Sequence, residues 1–333
     1  MTLKRTLQFA AAVASLFAMT IVATPAVGAT AHSRPSEPVL ITSGIQGASG
    51  GTIGPDGALY VTESQTGSVL RINTRTGASS VFATGLPAQV IGLGGAVDVA
   101  FIGRTAYVLV TLVDANVGGS SISGLYRLDG RNRFTVVADL GRWSQDNPPD
   151  TAFDIPSGLQ FALDVYKGGF IVTDGHHNRV LSVTKRGAIS ELVQFGNIVP
   201  TGLDVAGSRV FLAEAGAVPH LPADGRVVSF DARRPVVRNV ASGYSLLVDA
   251  EFGPCRTLYA LSQGDSPGVV PAGSPALPDS GELLRTNRNG TFSVVASALD
   301  LPTSVDFVRD AAFIVTANGE VWKIADVNGR HHC

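Results

Sequence analysis

The stretch Pro156–Phe195, PSGLQFALDVYKGGFIVTDGHHNRVLSVTKRGAISELVQF, decides the fold. Gly158–Ala162 alternates between apolar and polar, Lys167-Gly168-Gly169 makes a tight turn, and Phe170–Thr173 is apolar and β-branched. Asp174–Asn178 forms the next turn, Arg179–Thr184 alternates again, Lys185-Arg186-Gly187 turns, and Ile189–Phe195 closes the unit. Short apolar runs punctuated by turn residues predict four strands, a hairpin followed by a hairpin. A lone sheet of this kind cannot bury both its faces. It needs copies of itself on either side.

The chain supplies them. GPDGALYVTE (Gly54–Glu63), GSVLRI (Gly67–Ile72) and SSVFATGL (Ser79–Leu86) make a first copy, and TAYVLVT, SGLYRLDG and FTVVADL a second within Ala96–Leu140. A fourth spans Thr201–Ser242 and a fifth Leu247–Leu299. The last begins at Pro302 and gives SVDFV, AAFIVT and GEVWKI, one strand short. About six units at a spacing of roughly 40–60 residues match the period of propeller blades. The missing strand is available at the other end as Pro38–Ser43, PVLITS. The expected fold is therefore all-β: a six-bladed β-propeller over residues 38–327, closed by an N-terminal strand pairing into the last blade. Such closure removes the free sheet edges. A β-sandwich would leave the repeated order of four strand types without a reason.

The first thirty residues are different in kind. Lys4 and Arg5 precede an apolar run from Leu7 to Ala23, with small residues around Val27–Ala31. That pattern predicts a secretory signal over residues 1–29, cleaved after Ala29 or Ala31, then a short linker to residue 37. The mature chain is expected to be secreted or extracytoplasmic, monomeric, and without a transmembrane anchor. A net charge of −2 and the lack of a basic stripe with interleaved aromatics argue against nucleic acid or an anionic membrane as partner.

Two cysteines in an exported chain can pair. Cys255 falls between the first two strands of the fifth copy and Cys333 after the third strand of the last, with residues 328–333 as a tail. Both positions lie on one rim of neighbouring blades, so a Cys255–Cys333 disulfide is expected, worth roughly 4–5 kcal/mol in the chain-entropy model. A free thiol on a frayed tail, or a weak metal site with His331 and His332, are the alternatives.

The turn TDGHHNRV (Thr173–Val180) is similar to the NHL type of propeller repeat. Longer stretches are more specific. VADLGRWSQDNPPD (Val137–Asp150), LAEAGAVPHLPADGRVVSF (Leu212–Phe230) and GYSLLVDAEFGPCRTLYALS (Gly243–Ser262) resemble, in order, segments of the ScyD/ScyE family of secreted bacterial propellers. Gln46–Gly50 lacks the Pro-Arg-Gly usual at that family's first blade. The resemblance implies an exported propeller and carries over no catalytic residue.

Two constellations could carry chemistry. In a four-stranded blade, the link between the second and third strands shares a face with the link to the next blade, and this chain puts its long loops there. Loops longer than the structural minimum are where function concentrates. The candidates on that loop face are Trp143, Asp146, Asp150, Asp174, His176, His177, Glu214 and His220, to take a small molecule, a glycan or an envelope protein. Each has a plainer reading: Asp174 and Glu214 cap turn amides, the histidines fill a tolerant repeat position, and Trp143 covers a blade seam. The second constellation is on the innermost strands. Asp98, Asp204, Glu251 and Asp306 fall at matching places in their copies, with Thr52 and Gln160 in the other two. Gathered at a central channel, such carboxylates share protons or bind a hard cation such as calcium; bonded locally or solvated by channel water, they are structural.

The chain has no G-x-S-x-G elbow, phosphate-binding G-x-x-x-x-G-K-[ST] loop, H-E-x-x-H or paired Cys-x-x-Cys, so serine hydrolysis, nucleotide hydrolysis and zinc peptidase chemistry have no support. The sequence favours a binding or scaffold propeller over an enzyme. The alternative is a calcium-dependent lactonase or esterase-like propeller with a central metal.

Overall fold

A computed structural model describes residues 36–268, 270 and 274–328. They form six four-stranded antiparallel sheets. From the innermost strand outward, blade 1 is Ala48–Ile53, Leu59–Glu63, Ser68–Ile72 and Ser79–Ala83; blade 2 is Gly95–Ile102, Thr105–Thr111, Gly124–Gly130 and Arg133–Asp139. Blade 3 is Gln160–Tyr166, Gly169–Asp174, Arg179–Val183 and Ile189–Gln194; blade 4 is Pro200–Ala206, Arg209–Glu214, Gly225–Asp231 and Arg234–Tyr244. Blade 5 is Leu247–Phe252, Leu258–Ser262, Gly281–Thr286 and Phe292–Leu299. Blade 6 is Pro302–Val308, Ala311–Thr316 and Glu320–Ala325, with Val39–Thr42 hydrogen-bonded antiparallel to Glu320–Ala325 as its outermost strand.

Alternation along each strand explains the ring. In the second strand of blade 3, Phe170 and Val172 pack toward blade 2, while Ile171 between them packs toward blade 4. Because side chains alternate across a pleated sheet, every blade offers an apolar face to each neighbour. Six buried clusters result, one at each junction, the last joining Phe313 and Val315 of blade 6 to Leu59 and Val61 of blade 1. Burying one such Leu or Ile is worth about 1.5–3 kcal/mol.

Two faces follow from this order. Turns joining first to second and third to fourth strands lie on one side, here the turn face. Links from second to third strand and from blade to blade lie on the other, the loop face. A short helix, Leu140–Asp146, opens the longest inter-blade link and is capped by Asp139, whose carboxylate accepts from the Arg142 N–H at 2.8 Å.

No helix among the described residues is long and apolar enough to cross a membrane. The expected signal segment lies outside the described residues. Cys255 sits in the first turn of blade 5, where Asn328 Nδ2 donates to its Sγ at 3.0 Å. Cys333 lies outside the described residues, and with it the expected disulfide.

Candidate functional site

The innermost strands converge on an axial cavity of about 110 Å3 whose lining includes Asp98, Asp204, Glu251 and Asp306, and also Asp164 and Asp249. The cross-strand register corrects two of the sequence alignments. Asp204, Glu251, Asp306 and Thr52 pair with Phe211, Tyr259, Phe313 and Tyr60, each three residues before the end of its second strand. The blade 3 residue at that level is Asp164, opposite Ile171. Gln160 pairs instead with Asp174 at the strand's start and is fully buried, bonded to Thr111 Oγ1, the Ser157 carbonyl and Asp174. Asp98, opposite Leu109, sits one step away from the common level. Each inner strand carries one extra residue as a bulge near its start, so Thr52, Asp164, Asp204, Glu251 and Asp306 each stand four positions after the first paired residue of their strand, and Asp98 stands three after Gly95.

Five of the six axial carboxylates do one job. Asp98 Oδ1 accepts from its neighbour Val99 N–H and Oδ2 from Leu163 N–H of blade 3, both at 2.8 Å. Asp164 likewise reaches Val205 N–H of blade 4 at 2.7 Å, and Asp204 reaches Phe252 N–H of blade 5 at 2.8 Å. Asp249 accepts from Val305 N–H of blade 6 at 2.9 Å, and Asp306 from Ile53 N–H of blade 1 at 3.1 Å. Each aspartate clasps the innermost strand of the next blade. The sixth junction, between blades 1 and 2, has no clasp: blade 1 offers Gly50, where a Cβ would come 2.5 Å from both Asp98 Oδ1 and the Val97 carbonyl oxygen.

Burial opposes the charge that these amides favour. It pushes Asp164 up to about 7, with Asp204 adding repulsion, and Asp306 to about 7. Asp249 is pushed up to about 8 by burial, with Asp306 adding repulsion, and burial also raises Asp98 and Asp204. Glu251 is raised well above the ordinary carboxylate range, by burial and then by the surrounding Asp204, Asp306 and Asp249. No hydrogen bond to Glu251, which is half-buried, is seen among the described residues, and Asp306 Oδ2 is buried without a donor. Burial thus favours the neutral, protonated form of these carboxyls. The cavity does not fit calcium, which takes six to eight oxygen ligands. Each aspartate turns at least one oxygen to a backbone N–H group, and no three His, Cys, Asp or Glu side chains among the described residues are grouped to hold a metal ion.

On the loop face the structure separates the eight candidates. Asp174 and His177 are fully buried with Arg179 in one network. The Arg179 guanidinium donates to the Asn147 carbonyl at 2.7 Å and to His177 Nδ1 at 3.0 Å, and lies 4.9 Å from the centre of the Trp143 ring. Since His177 Nδ1 accepts, its proton is on Nε2, which donates to the Ile155 carbonyl at 3.0 Å. Burial lowers the His177 pKa and keeps the ring neutral. Asp174 accepts from the Leu159 N–H at 3.0 Å and balances the buried guanidinium from 3.5 Å. His176 Nε2 accepts from the Asp154 and Ile155 N–H groups at 2.9 and 3.0 Å, which places its proton on Nδ1. Both imidazoles thus hold the link 147–159 in place, and Trp143 stacks on Arg179.

Glu214 is fully buried and ion-paired with Arg226. His220 has a buried Nδ1 without a partner and a pKa lowered by burial. Asp146 pairs with Arg142 at 2.8 Å at the surface, and Asp150 is exposed. Between the helix and the 112–123 loop lies an open pocket of about 300 Å3, lined by Asn116, Ser120, Ser121, Asp139, Arg142 and Gln145 among others.

Sequence reasoning missed Asp164, Asp249 and Arg179. A signal for the first two was present: every clasp is an aliphatic-Asp dipeptide, Val97-Asp98, Leu163-Asp164, Leu203-Asp204, Val248-Asp249 and Val305-Asp306. Arg179 carried no signal of its burial, since an Arg at a strand start ordinarily faces solvent.

No family model matches the chain, and no curated protein sequence does. Solved structures do. A gluconolactonase from Xanthomonas campestris is similar at a TM-score of 0.60 and 11% identity, over 86% of this chain and 89% of that one. The PQQ-bound aldose sugar dehydrogenase of Streptomyces coelicolor gives 0.58 and 11%, over 88% and 99%. Virginiamycin B lyase from Staphylococcus aureus gives 0.53 and 12%, over 87% and 98%. At such identities the likeness concerns architecture alone, and the architecture is a six-bladed β-propeller.

Proposed function

We propose that the chain is an exported binding propeller of the ScyD/ScyE kind that takes a small molecule, a glycan or an envelope protein on its loop face. The observation that carries this is the fate of the reactive side chains. Asp174, His176, His177 and Glu214 are consumed in internal bonds, so they build a rigid platform and leave no nucleophile beside a free base. A platform held by its own hydrogen bonds loses little freedom on binding. The open pocket beside Arg142 and Gln145 is the polar recess on that platform. The test is capture from an envelope extract by the immobilised propeller. Arg142→Ala with Gln145→Ala should weaken capture at unchanged melting temperature; undiminished capture would rule out this face.

A second reading rests on Glu251. A half-buried acid without a hydrogen-bond donor among the described residues, in a cavity at the propeller axis, is equipped to give a proton to a leaving oxygen, as a lactonase or esterase requires. This reading predicts lactone or ester turnover that Glu251→Gln abolishes while the fold persists. Calcium-dependent turnover would restore the metal variant of the reading, for which the residues present offer no converging donor set.

A further inference from the structure

The near-neutral total charge conceals a strong polarity between the two faces. Nine of the eleven turns on the turn face carry a Lys or Arg at their tips. Blades 1 to 3 contribute Arg75, Arg104, Arg131, Lys167, Lys185 and Arg186; blades 4 to 6 contribute Arg233, Arg256, Arg288 and Arg309. All ten are exposed, and among the described residues only Arg233 is ion-paired. The same turns hold two acids, Asp56 and Asp310, with Asp326 just past the third strand of blade 6. The loop-face links reverse the balance: eight aspartates, three of them Asp146, Asp150 and Asp154 in one link, stand against the single exposed cation Arg142.

We propose that the turn face docks on an anionic phospholipid surface and so presents the acidic loop face away from it. Several features select a flat partner. Every blade supplies at least one turn-tip cation, and blade tips on one side of a propeller lie in one layer, so the charges form a planar array rather than a stripe. A nucleic acid strand is followed by a basic groove with aromatic platforms, and none of these turns contains a Phe, Tyr or Trp. The turns also lack exposed large apolar side chains, so attachment is peripheral, electrostatic and screened by salt. The composition argument against an anionic membrane fails here because opposite charges on opposite faces cancel in the sum without cancelling in space.

Co-sedimentation of the chain from Ser33, the compact unit that contains all six blades, with phosphatidylglycerol–phosphatidylcholine vesicles tests this. Binding to the mixed vesicles at low salt, loss in high salt and no binding to pure phosphatidylcholine are expected. Each cation near such a surface adds about fivefold to partitioning, so reversing Arg75, Arg131, Lys185 and Arg186 to Glu should cost about a hundredfold or more. If that variant does not fold, reversal of Arg233, Arg256, Arg288 and Arg309 serves instead. Equal binding to neutral vesicles, or full binding by a folded reversal variant, would overturn the proposal. So would binding to a duplex oligonucleotide or a sulfated polysaccharide with none to vesicles, which would assign the face to a soluble polyanion.

Discussion

Asp249 in blade 5 and Val305 in blade 6 are joined across the blade junction by an N–H···O bond of 2.9 Å at the wall of the axial cavity. The bond favours the carboxylate, yet burial dominates and raises Asp249 to about 8. A group raised in the native state binds its proton more tightly there than in the unfolded chain. Its contribution is present below the unfolded value near 3.8 and is lost as pH rises toward 8. Asp249→Asn should therefore cost more at pH 5 than at pH 8. Melting curves at the two pH values check this; an unchanged pH slope would remove Asp249 from the proton-holding set.

Arg179 is the pin of the loop-face frame. Arg179→Leu removes the counter-charge of the fully buried Asp174 and should destabilise by about 3–5 kcal/mol, read as a shift of the urea midpoint. Arg179→Lys should recover little, because an ammonium cannot serve the Asn147 carbonyl, His177 and the Trp143 face together. The same variants should open the 147–155 link to limited proteolysis, and a protected link would show the frame is redundant.

Gly50 faces the one junction without an aspartate clasp. A Cβ there meets Asp98 Oδ1 and a carbonyl oxygen at 2.5 Å, so Gly50→Ala should cost about 1–3 kcal/mol through overpacking. Gly196 has no heavy atom within 4 Å of its would-be Cβ and no left-handed φ. Gly196→Ala should be neutral to within about 0.5 kcal/mol. Thermal denaturation of the pair isolates close packing from the loss of a glycine.

His177 acts in the opposite sense to Asp249. Its lowered native pKa means that the unfolded chain takes up a proton that the native state refuses. Stability should fall as pH drops below about 6.5, the unfolded value. In His177→Gln that acid-side fall should shrink, as measured by urea midpoints at pH 5 and 7. An equal fall in both proteins would place the acid sensitivity elsewhere.

The blade pattern was legible because the second strand of each blade is buried on both faces and bounded by turns, so apolar runs and turn residues recur together. The axial site was half legible. Asp204, Glu251 and Asp306 could be aligned by counting from the strand ends, but Asp164 lost its place to Gln160. Every inner strand carries the same one-residue bulge, so Asp164 follows Gln160 by four residues as Asp204 follows Pro200 and Asp306 follows Pro302; Gln160 belongs with the residues at the strand starts. Arg179 was illegible for another reason: its partners Asn147 and Trp143 belong to a different loop, and only the folded ring brings that loop over blade 3. Charge polarity was readable once the turns were assigned to faces, but a net charge averages it away.

The outermost strand of blade 6, Val39–Thr42, is the first of the described strands, and the strand it needs, Glu320–Ala325, is the last. A ribosome delivers the one long before the other. Val39 and Leu40, still half-exposed in the finished ring, wait unpaired while five blades are made, and blade 1 waits equally long for Asp306 to reach Ile53. A chain that stops before Glu320 leaves Val39–Thr42 without its partner and the ring open. Of the described strands, the last to emerge finishes the sheet begun by the first.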